Sequence, residues 1–256
     1  MIEALIFDVD GTLAETERDG HRIAFNRAFA AAGLDWHWDE ALYGELLAVT
    51  GGKERLRHYW AQRDPEAAAN PGAEAFVQHL HRLKTDFYTD IVARGGIPLC
   101  PGVQRLLHEA QSRRVRLAIA TTTTPGNVSA LLEATLGPGA AGLFEVIGAG
   151  DVVPAKKPAP DIYVHVLELL GVPPDRCAAV EDSEPGLAAA VAAGLPTLVT
   201  ESEYTRGGNF AGAMAVVDAL GEPDAPACGS VAGRPWRGVV DVGQIGSWVS
   251  TRGALR

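Results

Sequence analysis

Short apolar runs that stop abruptly at polar residues recur along this chain: Ala4-Leu5-Ile6-Phe7, Leu117-Ala118-Ile119-Ala120, Val146-Ile147, Ala178-Ala179-Val180 and Thr197-Leu198-Val199. A run without polar alternation is what a strand buried on both faces requires. Stretches of helical period separate these runs. Leu106, Leu107 and Ala110 share a face, as do Leu131, Leu132 and Thr135; Ile162, Val166 and Leu169; and Leu187, Val191 and Leu195. Strand alternating with helix predicts an α/β fold built on a doubly wound parallel sheet. From the first strand to Pro101 the pattern is helical only. Phe76, Leu80, Leu83 and Phe87 recur at the spacing of one helix face, and Gly33, Gly51-Gly52 and Gly95-Gly96 punctuate the neighbouring helices. Residues 17–95 are therefore expected to form an inserted helical cap, with 1–16 and 96–256 as the core. The tail 221–256, rich in Gly, Pro and Ala, reads only as a loop with a closing strand or helix.

A chain of 256 residues with 47% hydrophobic and 21% charged content can bury such a core with a smaller insertion. A formal charge of −10 argues against nucleic acid as a partner, and it repels anionic substrates at long range. A phosphate ligand would need local cations or a metal. Cys100, Cys177 and Cys228 are odd in number and lack CxxC spacing, which disfavours a disulfide framework or a zinc site. MIEALIFDVDGTLAE lacks the basic and long apolar regions of a signal peptide, and no apolar stretch is long enough to span a bilayer. A cytoplasmic protein without a membrane partner is expected.

The chemistry lies where the apolar runs end, because the carboxyl ends of parallel strands are where open α/β sheets bind ligands. In Asp8-Val9-Asp10-Gly11-Thr12-Leu13, two carboxylates sit two residues apart. On a continuing strand they share a face, which is tolerable if they hold a cation or if one is protonated. Thr121-Thr122-Thr123-Thr124 ends the second run; alone it could be a strand former or a cap. Lys156-Lys157-Pro158-Ala159-Pro160-Asp161 is an extended approach to a helix, and Glu181-Asp182-Ser183 ends another strand in two acids. In isolation these would be a surface lysine pair and an acidic helix start.

Together, in this order, the four segments resemble the motifs of the haloacid dehalogenase superfamily, a Rossmann-like fold with an inserted cap. The resemblance implies that Asp8 is the nucleophile forming an aspartyl-phosphate and that Asp10 is the general acid and base. It also implies that Thr121 binds the transferring phosphoryl group and that Lys157 offsets the charge, leaving Lys156 solvated. Mg2+ would be held by Asp8, the carbonyl of Asp10 and Asp182, with Glu181 as a ligand or as the holder of a metal-bound water. Hard oxygen donors suit this ion, and a carboxylate can attack phosphorus when the phosphoryl charge is neutralised.

The cap must carry the specificity. Thr50-Gly51-Gly52-Lys53-Glu54-Arg55 resembles the specificity loop of sugar-phosphate phosphatases and mutases, with Lys53 or Arg55 suited to a second phosphate. In His81-Arg82-Leu83-Lys84-Thr85, Leu83 is assigned to the core stripe and His81, Arg82 and Lys84 to other faces; Arg82 matches a cationic cap position. Glu17 could accept bonds from sugar hydroxyls, and Thr122 and Thr123 join the substrate set. MIEALIFDVDGTLAETE, TGGKER, LAIATTTT, AAGLFEVIGAGD, KKPAPDIY, EDS and YTR read together like the CbbY family. That likeness implies hydrolysis of the 1-phosphate of xylulose 1,5-bisphosphate, a Rubisco inhibitor associated with the Calvin cycle, by a monomer acting on a small sugar phosphate. A β-phosphoglucomutase-like mutase, a phosphoglycolate-type phosphatase and a non-catalytic metabolite sensor are the alternatives. Three departures stand out: one residue more than usual before His21, with Gly20 expected to weaken a helix there; Pro185 after the acidic motif; and the tail.

Overall fold

The structure is a computed structural model that describes residues 2–253. β1 (Ala4–Phe7) lies inside an eight-stranded sheet between β2 (Arg116–Thr121) and β4 (Cys177–Glu181), parallel to both. β3 (Val146–Ala149) flanks β2, and β5 (Thr197–Thr200) and β6 (Ala215–Val217) extend the parallel part on the other side. β7 (Ala227–Val231) and β8 (Arg234–Gly238) close that edge as an antiparallel hairpin. The order is β3-β2-β1-β4-β5-β6-β7-β8.

Successive strand residues point to opposite faces, so each apolar run feeds two cores. Leu5, Phe7, Leu117, Ile119, Ala178 and Val180 meet α6 (Val103–Ser112), α7 (Pro125–Leu136) and α10 (Val242–Gly253). Ala4, Ile6, Ala118, Ala120 and Ala179 meet α8 (Asp161–Leu170) and α9 (Glu184–Ala192). On α8 the buried side chains are Ile162, Tyr163, Val166, Leu167 and Leu170, while Leu169 is 59% exposed. The expected Ile162–Val166–Leu169 stripe is off by one position, because the three-four spacing closes on Leu170.

α1 (Arg22–Ala31), α2 (Glu40–Leu46), α3 (Gly52–Arg63), α4 (Pro65–Ala68) and α5 (Ala73–Ala93) follow β1. They surround a core of their own containing Phe25, Phe29, Trp36, Trp38, Tyr43, Leu56, Tyr59, Val77 and Leu80. Trp38 is its centre, with ring centroids 4.7 Å from Phe25, 4.9 Å from Phe29 and 5.4 Å from Tyr59. The buried stripe of α5 is Val77, Leu80, Lys84, Tyr88 and Val92. This corrects the expected Phe76–Leu80–Leu83–Phe87 face: Lys84 is inside, and Phe76, Leu83 and Phe87 lie half-buried beside the stripe. Val77 and Leu80 belong to the aromatic core, and Tyr88 and Val92 to the sheet core.

The residue expected to weaken a helix instead lies within a single π turn over Glu17–His21, where the Arg22 N–H donates to the Glu17 carbonyl. A π turn accommodates one extra residue without breaking the helix that follows. Gly20 is needed for space, since a Cβ there would lie 2.7 Å from Ile97 and 2.9 Å from Tyr88.

The tail resolves into β7, β8 and α10. The two-residue turn Ala232-Gly233 has φ of 49° and 75°, the twist that tight hairpins favour. Val240, Val242, Ile245 and Trp248 are buried in the sheet core. The Arg105 guanidinium donates to the carbonyls of Leu220, Gly221 and Val240 at 2.9–3.2 Å, which ties the tail to α6. Among the described residues no helix is long and apolar enough to cross a membrane.

Truncating a buried indole costs roughly 3–5 kcal/mol. Trp38→Ala is therefore expected to lower unfolding free energy by about that amount in a denaturant titration; a loss within about 1 kcal/mol would mean that the aromatic cluster is not a core.

Candidate active site

β1 delivers Asp8 to the sheet's carboxyl edge, where its backbone N–H donates to the Val180 carbonyl at 2.9 Å. The buried Lys157 ammonium donates to Asp8 Oδ1 (2.6 Å), the Ala120 carbonyl (2.9 Å) and Glu181 Oε1 (2.5 Å). It thereby ties together the ends of β1, β2 and β4. Tyr163 also donates to Glu181 Oε1 at 2.5 Å, so Glu181 is committed to holding Lys157. Asp182 accepts from the Ser202 hydroxyl at 2.7 Å. Gly11, with φ of 82°, makes room for it: a Cβ there would sit 2.2 Å from Asp182 Oδ2.

Asp8, Glu181 and Asp182 are buried and each offers an oxygen within 4.8 Å of the others. Burial pushes the Asp8 carboxyl up to about 7, with Lys157 opposing and Glu181 and Asp10 adding to the rise. Burial, then Asp8 and Glu181, push Asp182 well above the carboxylate range. Lys157 is held above the usual lysine range because Asp8 and Glu181 outweigh its burial. Three carboxyls face one ammonium in a set of hard oxygen donors, and a divalent cation, which would favour their ionised forms, fits there.

The Asp10 side chain is turned elsewhere. Its Oδ1 accepts from Thr16 at 2.5 Å and lies 2.9 Å from His21 Nε2. Lys84 Nζ lies 2.8 Å from His21 Nδ1, and the ring stacks on Tyr88 at 4.1 Å. An ammonium only donates, so Nδ1 accepts and Nε2 carries the proton pointing at Asp10. Burial alone would raise Asp10, but His21 and Thr16 outweigh it and hold the carboxyl at about 2. Burial brings Lys84 down to about 8 against the pull of Asp10 and Glu17.

Two neighbouring cavities adjoin these groups. The larger, about 670 Å³, is lined by Asp8, Asp10, Thr121, Lys157, Asp182, Thr50 and the Tyr204–Gly208 loop among others. The smaller, about 110 Å³, takes Gly52, Lys53, His81, Lys84, Thr123 and Lys156. Asp10, Glu17, Gly51, Arg55 and Thr122 line both. Glu17 accepts from the Tyr43 hydroxyl, and Arg55 donates to that hydroxyl at 2.9 Å and to the Leu46 carbonyl at 3.1 Å. Arg55 is thus a buried brace for Glu17. His81 is pushed down to about 3 by burial and by the nearby lysines, so its imidazole is neutral.

Several expectations need correction. Arg82 is exposed and lines neither cavity, because it lies one residue round the helix from His81, which faces the chamber together with Lys84. Glu54 also lies off both cavities, beside Lys156 and Arg57. Lys156 is part of the smaller chamber rather than solvated. Lys84, assigned from the sequence to a face away from the core stripe, is buried within it, and Thr16, Tyr43, Tyr163 and Ser202 carry no sequence signal of their part in the site.

A family model described as haloacid dehalogenase-like hydrolase matches residues 2–194. The chain belongs to the haloacid dehalogenase-like hydrolases. Within this family it is CbbY-like. It is 49% identical over 247 residues to the plasmid protein CbbY of Cupriavidus necator, covering 96% of each chain. Two crystal structures of CbbY from Rhodobacter sphaeroides superpose with a TM-score of 0.78 at 49% identity, covering 86% of this chain and 95% of theirs. One holds phosphate, and the other is an Asp-to-Asn mutant holding xylulose 1,5-bisphosphate. Membership in this hydrolase family and the CbbY likeness make the chain a phosphatase.

Asp8 and Asp182 bind protons more tightly folded than unfolded. Without metal, Asp8 and Asp182 contribute stability that is lost as pH rises from about 4 to about 7, the interval between the ordinary and the raised Asp8 values, whereas His81, held down at about 3, contributes in the opposite sense over the same interval, so the carboxyl part is the difference between the parent protein and Asp8→Asn. Asp10 acts oppositely: its depressed value adds stability that is lost as pH falls from 3.8 to about 2. Thermal melts of the parent and of Asp8→Asn in EDTA across this range test both signs, and parallel profiles of the two between pH 4 and 7 would contradict the buried-carboxyl assignment.

Proposed function

We propose that this phosphatase hydrolyses the 1-phosphate of a ketose bisphosphate, with xylulose 1,5-bisphosphate as substrate, through a phosphoryl group carried on Asp8. The observation that carries the reading is the buried Asp8–Lys157 pair lining one cavity with Asp10, beside a second, lysine-lined chamber suited to another anion. The relative that holds the same bisphosphate supports the choice of sugar.

In this reading Asp8 attacks phosphorus as the bond to the sugar oxygen breaks, and Asp10, ionised in the free protein and protonated once the anionic substrate lies beside it, gives that oxygen its proton. His21 Nε2–H keeps Asp10 oriented, and Lys84 keeps His21 in the donating tautomer. Water then attacks the phosphorus, Asp10 takes its proton, phosphate leaves and Asp8 is restored. Thr121 steadies the phosphoryl group, and Lys157 offsets its charge. Asp8, Asp182 and the Asp10 carbonyl would hold Mg2+, with Glu181 fixing Lys157. When bound, the ion supplies neutralisation of the phosphoryl oxygens. Residues 17–95 serve as a cap that brings Glu17, Lys53, His81 and Lys84 over the sugar and excludes bulk water. Thr50, Gly51 and Gly52 form its loop, with Thr122 and Thr123 opposite.

Phosphate release should be measured with magnesium and with EDTA on xylulose 1,5-bisphosphate, ribulose 1,5-bisphosphate, β-glucose 1-phosphate and phosphoglycolate. Preferred, magnesium-dependent turnover of the xylulose compound is expected, and equal rates on all four would overturn the substrate assignment. Asp8→Asn should abolish turnover. Losing an acid–base group costs about 10²–10⁴-fold, so Asp10→Ala should cut kcat by that order. Lys84→Met, which removes the partner of His21 as well as a charge from the chamber wall, should cost about tenfold or more in kcat, and an unchanged kcat would remove the Lys84–His21 chain from the mechanism.

A further inference from the structure

Lys156 and Lys157 are neighbours in sequence but serve different cavities. Lys157 turns to Asp8, whereas Lys156 lines the smaller chamber and lies 2.9 Å from Asp151 Oδ1. The other Asp151 oxygen accepts from Lys53, which stands in the first turn of α3. One carboxylate on the loop after β3 thus holds two ammoniums, one from the core and one from the helices over it. The stem of Lys156 lies against Gly51, where an added Cβ would come within 3.0 Å of its Cδ, and its ammonium is 3.7 Å from Glu54 Oε2. Gly51, with φ of 96°, lets the loop lie against the lysine. These contacts leave Lys156 only 17% exposed, whereas Asp151 is 58% exposed.

We propose that Asp151 is a positioning residue for the substrate's second phosphate, clamping Lys53 and Lys156 on one wall of the smaller chamber so that both ammoniums can meet that group. The inference rests on the bisphosphate reading above. Two lysines left without the carboxylate would repel each other, and their flexible stems would have to be ordered at the moment of binding. With Asp151 in place that ordering precedes the ligand. The held-down Asp151 carboxyl, at about 2 beside Lys53 and Lys156, keeps the clamp charged throughout the neutral range. Exposed ion pairs add little to folding, so removing this carboxylate leaves the fold intact.

The test compares kcat/KM on xylulose 1,5-bisphosphate with that on xylulose 1-phosphate, which has the same reacting end without the second phosphate. Asp151→Asn is expected to lower the preference for the bisphosphate about tenfold, through KM, as the loss of one well-placed charge-assisted bond would. Asp151→Glu should restore most of the preference, which a purely structural role would not explain, and Lys156→Met should shift the ratio the same way as Asp151→Asn. A wild-type enzyme preferring the bisphosphate, with an unchanged or increased preference in Asp151→Asn, would overturn the clamp alone. Equal wild-type turnover of the two substrates would overturn the bisphosphate reading and the clamp with it.

Discussion

Lys157 is held by two carboxylates and a carbonyl supplied by three different strands, with almost no solvent at the junction. Such an ammonium is costly to bury and is stable only because each of its protons has a partner. The arrangement works in both directions. The sheet order β2-β1-β4 sets Ala120, Asp8 and Glu181 around one point, and the ion at that point fixes how those strand ends face the cavity. Tyr163 takes up the remaining demand of Glu181, so the charge network reaches into α8 and the apolar core beneath it.

The carboxylates near this ion divide by environment. Asp8 and Asp182 suffer burial and mutual repulsion, and their charge is suppressed until a cation arrives. Asp10 is nearly as deep but has a hydroxyl and an imidazole directed at one oxygen, and in the free protein it is ionised. Similar side chains a few ångströms apart therefore have opposite proton affinities, which suits one to a cation and the other to proton transfer.

Where function and burial coincide at strand ends, the sequence was readable. Strands covered on both faces must be uniformly apolar, so their abrupt stops mark Asp8, Thr121 and Glu181-Asp182. The helical segment was harder, because hydropathy counts a lysine as solvent-facing and Lys84 occupies a position that helical geometry assigns to the core. Arg82 stands out only through the family resemblance, which does not say which face of α5 is turned to the chamber. The tail was obscure because an edge hairpin needs no apolar run: Arg234-Pro235-Trp236-Arg237-Gly238 carries charge and a proline, as edge strands do. The turn Ala232-Gly233 is a weak signal beside Asn-Gly or Asp-Gly. The extra residue before His21 was visible, but its absorption in a π turn depends on Ile97 and Tyr88, which are remote in sequence.

α5 runs without interruption from the aromatic core into the sheet core, and Lys84 lies at the boundary between Leu80 and Tyr88. A helix packed into both cores couples the position of its middle turn to the packing at each end. Any rocking of the helices against the sheet is therefore felt at the Lys84 ammonium and passed through His21 to a single oxygen of Asp10. The acid–base carboxyl and the packing of Trp38 thus share one helix, and how well the aromatic core is ordered bears on how firmly Asp10 is held.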